Sequence, residues 1–109
     1  MKQMMILTVM TLIMFTSSNL LAAGDVAAGK TAYAAVVCST CHGANGEGNE
    51  MFKAPKLAGQ HAWYTLSALQ RFKSGARGST DPAAATMVAM AANLTEEQMV
   101  NISAYLATL

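Results

Sequence analysis

The chain has 109 residues, which leaves room for one domain, and 53% of them are hydrophobic while only 12% are charged. Seven lysines and arginines are nearly balanced by six aspartates and glutamates, giving a formal net charge of +1. This balance argues against a nucleic-acid partner and against a polybasic patch for a membrane surface, because both need clustered positive charge.

The first 24 residues have the layout of a secretory signal peptide. Lys2 provides a basic start, residues 4–15 are apolar, a polar stretch follows, and small residues end the segment. The unbroken apolar run is shorter than the about 20 residues that a membrane-spanning helix needs, and retention as an anchor is the alternative. We therefore predict cleavage after Ala23 or Gly24 and export of a mature domain, residues 25–109, without stable membrane insertion.

Helix signals follow in chain order, and residues 25–109 contain no β-branched run that predicts a strand. Asp25 can cap a helix over residues 26–37. A second helix is predicted over residues 61–74, with a glycine directly after it as the C-cap. Thr95 opens the last helix and forms a capping box with the glutamine three residues later.

The spacing of apolar residues predicts which helix faces point inward. The expected inward residues are Tyr64, Leu66, Leu69 and Phe72 in the second helix and Met99, Ile102, Tyr105 and Leu106 in the last. Polar, glycine-containing loops are expected over residues 43–49 and 78–82, with a further break at Pro55. A domain this small has a marginal core, so it needs a disulfide, a metal or a cofactor as additional support.

Residues 38–42 read Cys-Ser-Thr-Cys-His and hold both cysteines of the chain. This C-x-x-C-H pattern is the attachment signature of c-type haem. Cys38 and Cys41 are three positions apart, so they lie on one side of a helical turn and can each form a thioether bond with one haem vinyl group. The imidazole of His42 is then held against the ring, where it can bind the iron. The motif predicts one covalent haem c.

Three other chemistries use C-x-x-C, and each lacks its usual context in this sequence. A thioredoxin-like redox motif needs a βαβ unit. A disulfide between the two cysteines closes a very short loop and stabilises the domain little. A zinc site needs His42 and His61 as its remaining ligands, but His42 directly follows a cysteine, whereas zinc-binding histidines usually lie about a dozen or more residues away.

Over nearly all of the mature domain, the sequence resembles the class I c-type cytochromes of the small bacterial periplasmic kind. The segments that carry the resemblance are Gly29 with Tyr33, residues 38–43, residues 55–60 and residues 94–97. The resemblance implies an all-α cytochrome c fold, with three to four helices wrapped around one covalently attached haem. Thr65 and Ala68 depart from the family pattern, because bulkier or amide residues are common at these positions.

The resemblance also implies a methionine ligand on the iron face opposite His42. In the family this methionine comes from a late loop, seven residues before the Leu-Ser/Thr start of the last helix, with an apolar residue three positions after it. Met87 meets both conditions, with Met90 as the apolar residue, and Met90 is the alternative ligand. Met51 lies too close behind the haem motif, and Met99 lies inside the last helix.

Further residues are expected around the haem. The resemblance implies that the carbonyl of Pro55 accepts a hydrogen bond from His42 and that Leu57 packs on the haem face. Trp63 can donate to a haem propionate or cover the core. Arg77 can likewise meet a propionate or stay solvated.

The function that the resemblance implies is electron transfer. Iron closed on both faces exchanges single electrons with redox partner proteins and binds no substrate. The protein is expected to be periplasmic, monomeric and not an enzyme. The alternatives are a haem enzyme or ligand sensor with a labile sixth position, and a small cytochrome subunit of a larger oxidoreductase complex. A haem enzyme needs a polar distal pocket, and residues 83–92 hold no His, Arg or acid beside the methionines.

Overall fold

The structure, a computed structural model, describes residues 24–109, so the predicted signal peptide lies outside it except for Gly24. The helices of this part are α1 (Val26–Ala35), α2 (Cys38–His42), α3 (Ala62–Ser74), α4 (Pro82–Ala92) and α5 (Glu96–Ala107), with one 3-10 turn at Glu50–Phe52. The predicted all-α class is confirmed. No helix within the described residues has the length and apolar character needed to cross a membrane.

The first helix starts where the sequence predicts and ends two residues early. The side chain of Asp25 accepts a hydrogen bond from the backbone N–H of Ala28 at 3.0 Å, which caps the first turn. The chain then passes through Val37, whose φ of 59° is left-handed backbone. A right-handed helix cannot continue through that conformation, so α1 stops at Ala35 and a separate helix begins at Cys38.

The expectation that the methionine ligand comes from a late loop is wrong, because this segment forms α4. The side chain of Asp81 accepts from the backbone N–H of Ala83 at 3.0 Å. Pro82 occupies the first turn, where its missing N–H loses no helical hydrogen bond, and the alanines that follow are strong helix formers. With α2 and α4 both formed, the described part of the chain has five helices rather than three to four.

The predicted ends of α3 and α5 are confirmed. α3 stops at Gly75, whose φ of 78° gives the left-handed C-cap. At the start of α5, Thr95 Oγ1 accepts from the N–H of Gln98 at 3.1 Å, and Gln98 Oε1 accepts from the N–H of Thr95 at 3.0 Å. This reciprocal pair is a capping box, so the first turn of α5 has partners for two otherwise free N–H groups.

Two clusters of buried side chains form the core. The members of the larger cluster are Tyr33, Leu69, Leu94, Met99, Ile102, Tyr105 and Leu106. The members of the smaller cluster, between α3 and α4, are Ala68, Phe72 and Ala91. The predicted inward faces are therefore correct except at Tyr64, which is 38% exposed; Leu66 is half-buried and packs against the larger cluster.

α1 crosses α5 at Gly29. A Cβ atom at Gly29 would lie 1.9 Å from the carbonyl oxygen of Asn101 and 2.8 Å from the Cβ of Tyr105. One turn later, the Tyr33 ring packs edge-to-face on the Tyr105 ring, with centroids 5.8 Å apart. The backbones approach this closely because glycine has no side chain, so the faces of α1 and α5 meet at this position.

Candidate haem-binding site

The cysteine pair occupies a single helical turn, α2. Cys38 and Cys41 are half-buried free thiols, and Cys38 packs against the larger core cluster. Burial raises the pKa of the Cys38 thiol to about 11. Thiol–disulfide exchange requires a thiolate and is favoured by a lowered pKa, so the environment of Cys38 does not favour a redox-active cysteine.

The imidazole of His42 is oriented by a single hydrogen bond. The side chain is 5% exposed, and its Nδ1 lies 2.9 Å from the carbonyl oxygen of Pro55. A carbonyl oxygen can only accept, so Nδ1 carries the hydrogen and Nε2 keeps its lone pair. No hydrogen bond among residues 24–109 engages Nε2. His42 therefore has the tautomer and the fixed ring position with which a histidine binds a metal through Nε2.

Backbone hydrogen bonds hold the Pro55 segment against the loop that follows His42. The N–H of Leu57 donates to the carbonyl of Gly46 at 2.8 Å, and the N–H of Gly48 donates to the carbonyl of His42 at 2.7 Å. Leu57 is itself half-buried and packs against the larger core cluster. These loop hydrogen bonds thus hold the carbonyl that orients the imidazole. The proline ring also restricts the φ angle of the same residue.

The two candidate methionines of α4 differ in what they contact. Met87 is half-buried and packs against both core clusters, whereas Met90 is half-buried and packs against neither. The other two methionines of the mature domain lie in opposite environments: Met51 is 85% exposed, and Met99 is 2% exposed within the larger cluster. Met87 therefore shares with Cys38 a contact with the larger core cluster, whereas Met90 does not.

The aromatic and basic residues considered for the haem edge lie at the surface. Trp63 is 70% exposed and stacks on the exposed His61, with ring centroids 5.8 Å apart, so the interpretation of Trp63 as core cover is wrong. The guanidinium carbon of Arg77 lies 4.6 Å from the ring centroid of Phe72. Contact between either residue and a propionate stays a prediction.

Thr65 belongs to the buried face of α3, and the sequence marked it only as a departure from the family pattern. It is 5% exposed, and its hydroxyl oxygen has no hydrogen-bond partner within the described chain. Its spacing from Ala68, Leu69 and Phe72, three, four and seven residues on, would have placed it on that face. Such unpaired buried groups are rare in native proteins and call for an explanation.

The donor set fits a covalently bound haem. Two free thiols flank one turn, an oriented imidazole follows directly, a thioether packs on the same core, and a buried hydroxyl lacks a protein partner. The described residues contain no group of three His, Cys, Asp or Glu side chains that could hold a metal ion on its own. The two thiols and the oriented imidazole together suit an iron that arrives within a porphyrin ring.

A small helical domain with a C-x-x-C-H turn and an oriented histidine defines a c-type cytochrome. The sequence matches the family described as Cytochrome c over residues 26–109. The chain belongs to this family and is an electron-transfer cytochrome, and membership implies covalently bound haem c.

The relatives fall into two size classes. The chain is 46% identical over 93 residues to cytochrome c-554(547) of Halothiobacillus neapolitanus, covering 80% of this chain and 99% of that protein. It is 40% identical over 78 residues to cytochrome c4 of Azotobacter vinelandii, covering 72% and 37%. The crystal structure of reduced recombinant cytochrome c4 from Pseudomonas stutzeri matches with a TM-score of 0.67 and 31% identity, covering 77% and 47%. The chain thus spans nearly all of the first relative and less than half of these two cytochrome c4 chains.

Proposed function

We propose that residues 25–109 form a periplasmic carrier of single electrons with one haem c, whose iron is bound by His42 and Met87. The observation that carries the proposal is the state of His42, one residue after a cysteine pair. One ring nitrogen is committed to the carbonyl of Pro55, and the other is free to bind iron. Leu57 supplies an apolar contact on the haem face.

Each ligand comes from a different helix. Cys38 and Cys41 of α2 would attach the ring through thioether bonds, and His42 of α2 and Met87 of α4 would supply the two protein ligands of the iron. The bound haem supplies an iron that alternates between ferrous and ferric states. A thioether ligand favours the ferrous state, so His/Met ligation gives a higher reduction potential than ligation by two nitrogens.

The sequence supports a single haem, because the chain contains one C-x-x-C-H motif and no other cysteine. Export by the predicted signal peptide would place the carrier in the periplasm, where it exchanges electrons with redox partner proteins.

An electron carrier differs from a haem enzyme or a gas sensor because protein ligands fill both axial positions of its iron. A haem enzyme needs an open position and polar groups beside it. The helix that supplies the methionine, α4, consists of alanine, proline, threonine, valine and methionine residues. It offers no acid, base or guanidinium beside the iron. An iron with both axial positions filled also suits a small subunit of a larger oxidoreductase. Copurification with a partner protein would distinguish such a subunit from a free carrier.

The attachment is tested by extracting the purified holoprotein with acidified acetone. We expect all of the haem to stay on the chain, with an intact mass equal to the mature polypeptide plus one haem. Cys38→Ala should leave one thioether bond, and the double Cys38→Ala, Cys41→Ala variant should release the haem. Complete extraction from the wild-type protein would overturn the covalent attachment.

The closed iron is tested on the same preparation. Carbon monoxide added to the reduced protein should leave its visible spectrum unchanged, because both axial positions are filled. A rapid spectral change at neutral pH would instead support the ligand sensor.

A further inference from the structure

Two side chains of α3 hold the junction between α4 and α5. The ammonium of Lys73 donates a hydrogen bond to the backbone carbonyl of Leu94. The side-chain amide of Gln70 donates to the carboxylate of Glu96 at 2.6 Å. The two donors are three positions apart, so they project from the same face of α3. This junction is therefore tied to α3 by polar contacts as well as by the core.

The helix that ends at this junction contributes little apolar surface to the core. Ala91 is the one buried residue of α4, and Met87 and Val88 are half-buried. The smaller core cluster is the place where α4 packs on α3. An alanine buries much less apolar area than a leucine or a phenylalanine, so hydrophobic burial holds α4 less firmly than it holds α3 or α5.

The hydrogen bond from Lys73 fixes the carboxyl end of α4. Only residues 93–95 separate α4 from α5, and Leu94 among them is 4% exposed within the larger core cluster. The last turn of α4 contains no basic residue of its own. Lys73 therefore supplies, from the neighbouring helix, the positive charge that is favourable near a helix C-terminus.

We propose that Lys73 is a positioning residue that keeps Met87 on the iron by holding the carboxyl end of α4 against α3, an inference that rests on the proposed ligation by Met87. A helix with so little buried apolar surface moves away from α3 more easily once this hydrogen bond is lost. The sulfur of Met87 moves with the helix, so the methionine leaves the iron more often. Lys73 thereby controls how fast an external ligand reaches the iron.

The test measures how fast imidazole displaces the methionine from ferric iron in the holoprotein. At about pH 8 imidazole is neutral, so the loss of a lysine charge does not alter its attraction to the protein. At saturating imidazole, the sulfur–iron charge-transfer band disappears at the rate of methionine release. Lys73→Leu removes the donor without adding an iron-binding group. It should raise this rate by about three- to tenfold, as expected for the loss of one partly exposed hydrogen bond.

Two control variants accompany this measurement. Lys73→Arg keeps a charged donor at the same position and should retain the wild-type rate. Lys53→Leu makes the same chemical change at an exposed lysine outside the helices and should leave the rate unchanged.

Hydrogen–deuterium exchange of the same holoproteins measures the opening of α4 directly. The amides of α4 should exchange faster in Lys73→Leu than in the wild type. The amides of α1, which packs on α5, should exchange at the wild-type rate. Faster exchange in all helices together would show that Lys73 stabilises the whole fold rather than α4, and would overturn the inference.

The remaining outcomes separate the role of Lys73 from the ligation. Equal release rates in Lys73→Leu and Lys53→Leu, with unchanged exchange in α4, would overturn the role of Lys73 while the ligation by Met87 stands. Absence of the charge-transfer band from the wild-type ferric protein would refute the ligation, and the role of Lys73 with it.

Discussion

The hydroxyl of Tyr33 links the first helix to the loop behind the haem-attachment turn. It donates to the carbonyl of Gly43 at 2.6 Å, and its ring packs on Tyr105. Burial raises the pKa of Tyr33 from 10.0 to about 12, and the neighbouring Glu47 adds to the shift. The phenol therefore ionises more readily in the unfolded chain than in the folded protein.

Tyr33→Phe should lower the free energy of unfolding by about 1 kcal/mol at neutral pH, because one buried hydrogen bond is lost. The wild-type hydroxyl stabilises the fold fully below pH 10, and this contribution is lost as the pH rises towards 12. The Phe variant should lack that alkaline loss. Denaturant titrations at pH 7 and between pH 10 and 12 measure both effects.

Tyr64→Phe is the matched control, because this tyrosine lies at the surface. It should leave the stability at neutral pH unchanged. If Tyr33→Phe shows the same alkaline loss as the wild type, another group titrates in that range and the assignment to Tyr33 fails.

Residues defined by spacing within one segment could be predicted from the sequence, and residues defined by the packing of several segments could not. The cysteine turn and its histidine follow from five consecutive positions. Trp63 and Tyr64 illustrate the opposite case: their apolar rings suggest burial, but α3 turns them to the surface. The sequence likewise could not predict that the Thr65 hydroxyl lacks a hydrogen-bond partner, because this requires the positions of all possible partners.

The crossing of α1 and α5 depends on one position without a side chain. A Cβ at Gly29 would meet the backbone carbonyl of Asn101, which belongs to a helix and cannot move aside. Gly29→Val should therefore separate the two helices, at an overpacking cost of about 1–3 kcal/mol or more. Thermal unfolding of the holoprotein, followed by circular dichroism, measures the loss.

Ala34→Val provides the control for this variant, because it introduces valine at an exposed position of the same helix. It should cost a few tenths of a kcal/mol to about 0.7 kcal/mol, from helix propensity alone. Equal melting temperatures for Gly29→Val and Ala34→Val would mean that the helices do not meet at Gly29.

Three helix caps were predicted correctly from the sequence, but the helix α4 was not predicted. Asp25, Gly75 and Thr95 act as caps because their side chains or backbone freedom satisfy local groups. α4 was missed because its alanine-rich sequence has no clear apolar face, although Asp81 and Pro82 are a helix-start signal. Val37 ended α1 unexpectedly, since a β-branched residue rarely adopts left-handed backbone.

Charge is nearly balanced over the mature domain, and this bears on how partners dock. Without Lys2, the mature domain contains six basic and six acidic residues. The residues expected around the exposed haem edge are Ser39, Thr40, Ala44, Ala85, Thr86 and Val88. The structure leaves four of them exposed and the first and last half-buried, and none carries a charge. A partner should therefore meet a weakly charged patch and dissociate quickly.

We expect the rate of electron transfer to depend only weakly on ionic strength. Stopped-flow oxidation of the reduced protein by ferricyanide, a highly charged anion, should change by less than about tenfold between roughly 10 mM and 150 mM salt. Thr40→Lys places a charge within the patch and should steepen the dependence. A larger change for the wild type would show that the basic residues cluster near the haem edge.

The all-α architecture was predictable because each long helix carries its own start or stop signal. The arrangement of the helices around the site could not be predicted, since it depends on contacts between α4 and the rest of the core. Met87 illustrates this division. Its spacing from the last helix made it a candidate, and its packing against both clusters distinguishes it from Met90.

The most direct test of the account is the absorption spectrum of the oxidised protein after each methionine is replaced in turn. Met87→Ala should abolish the sulfur–iron charge-transfer band and lower the reduction potential, because the thioether that favours ferrous iron is lost. Met90→Ala, a matched change one turn later on α4, should retain the band. Loss of the band in Met90→Ala alone would assign the ligand to Met90, and a band unaffected by either change would contradict His/Met ligation.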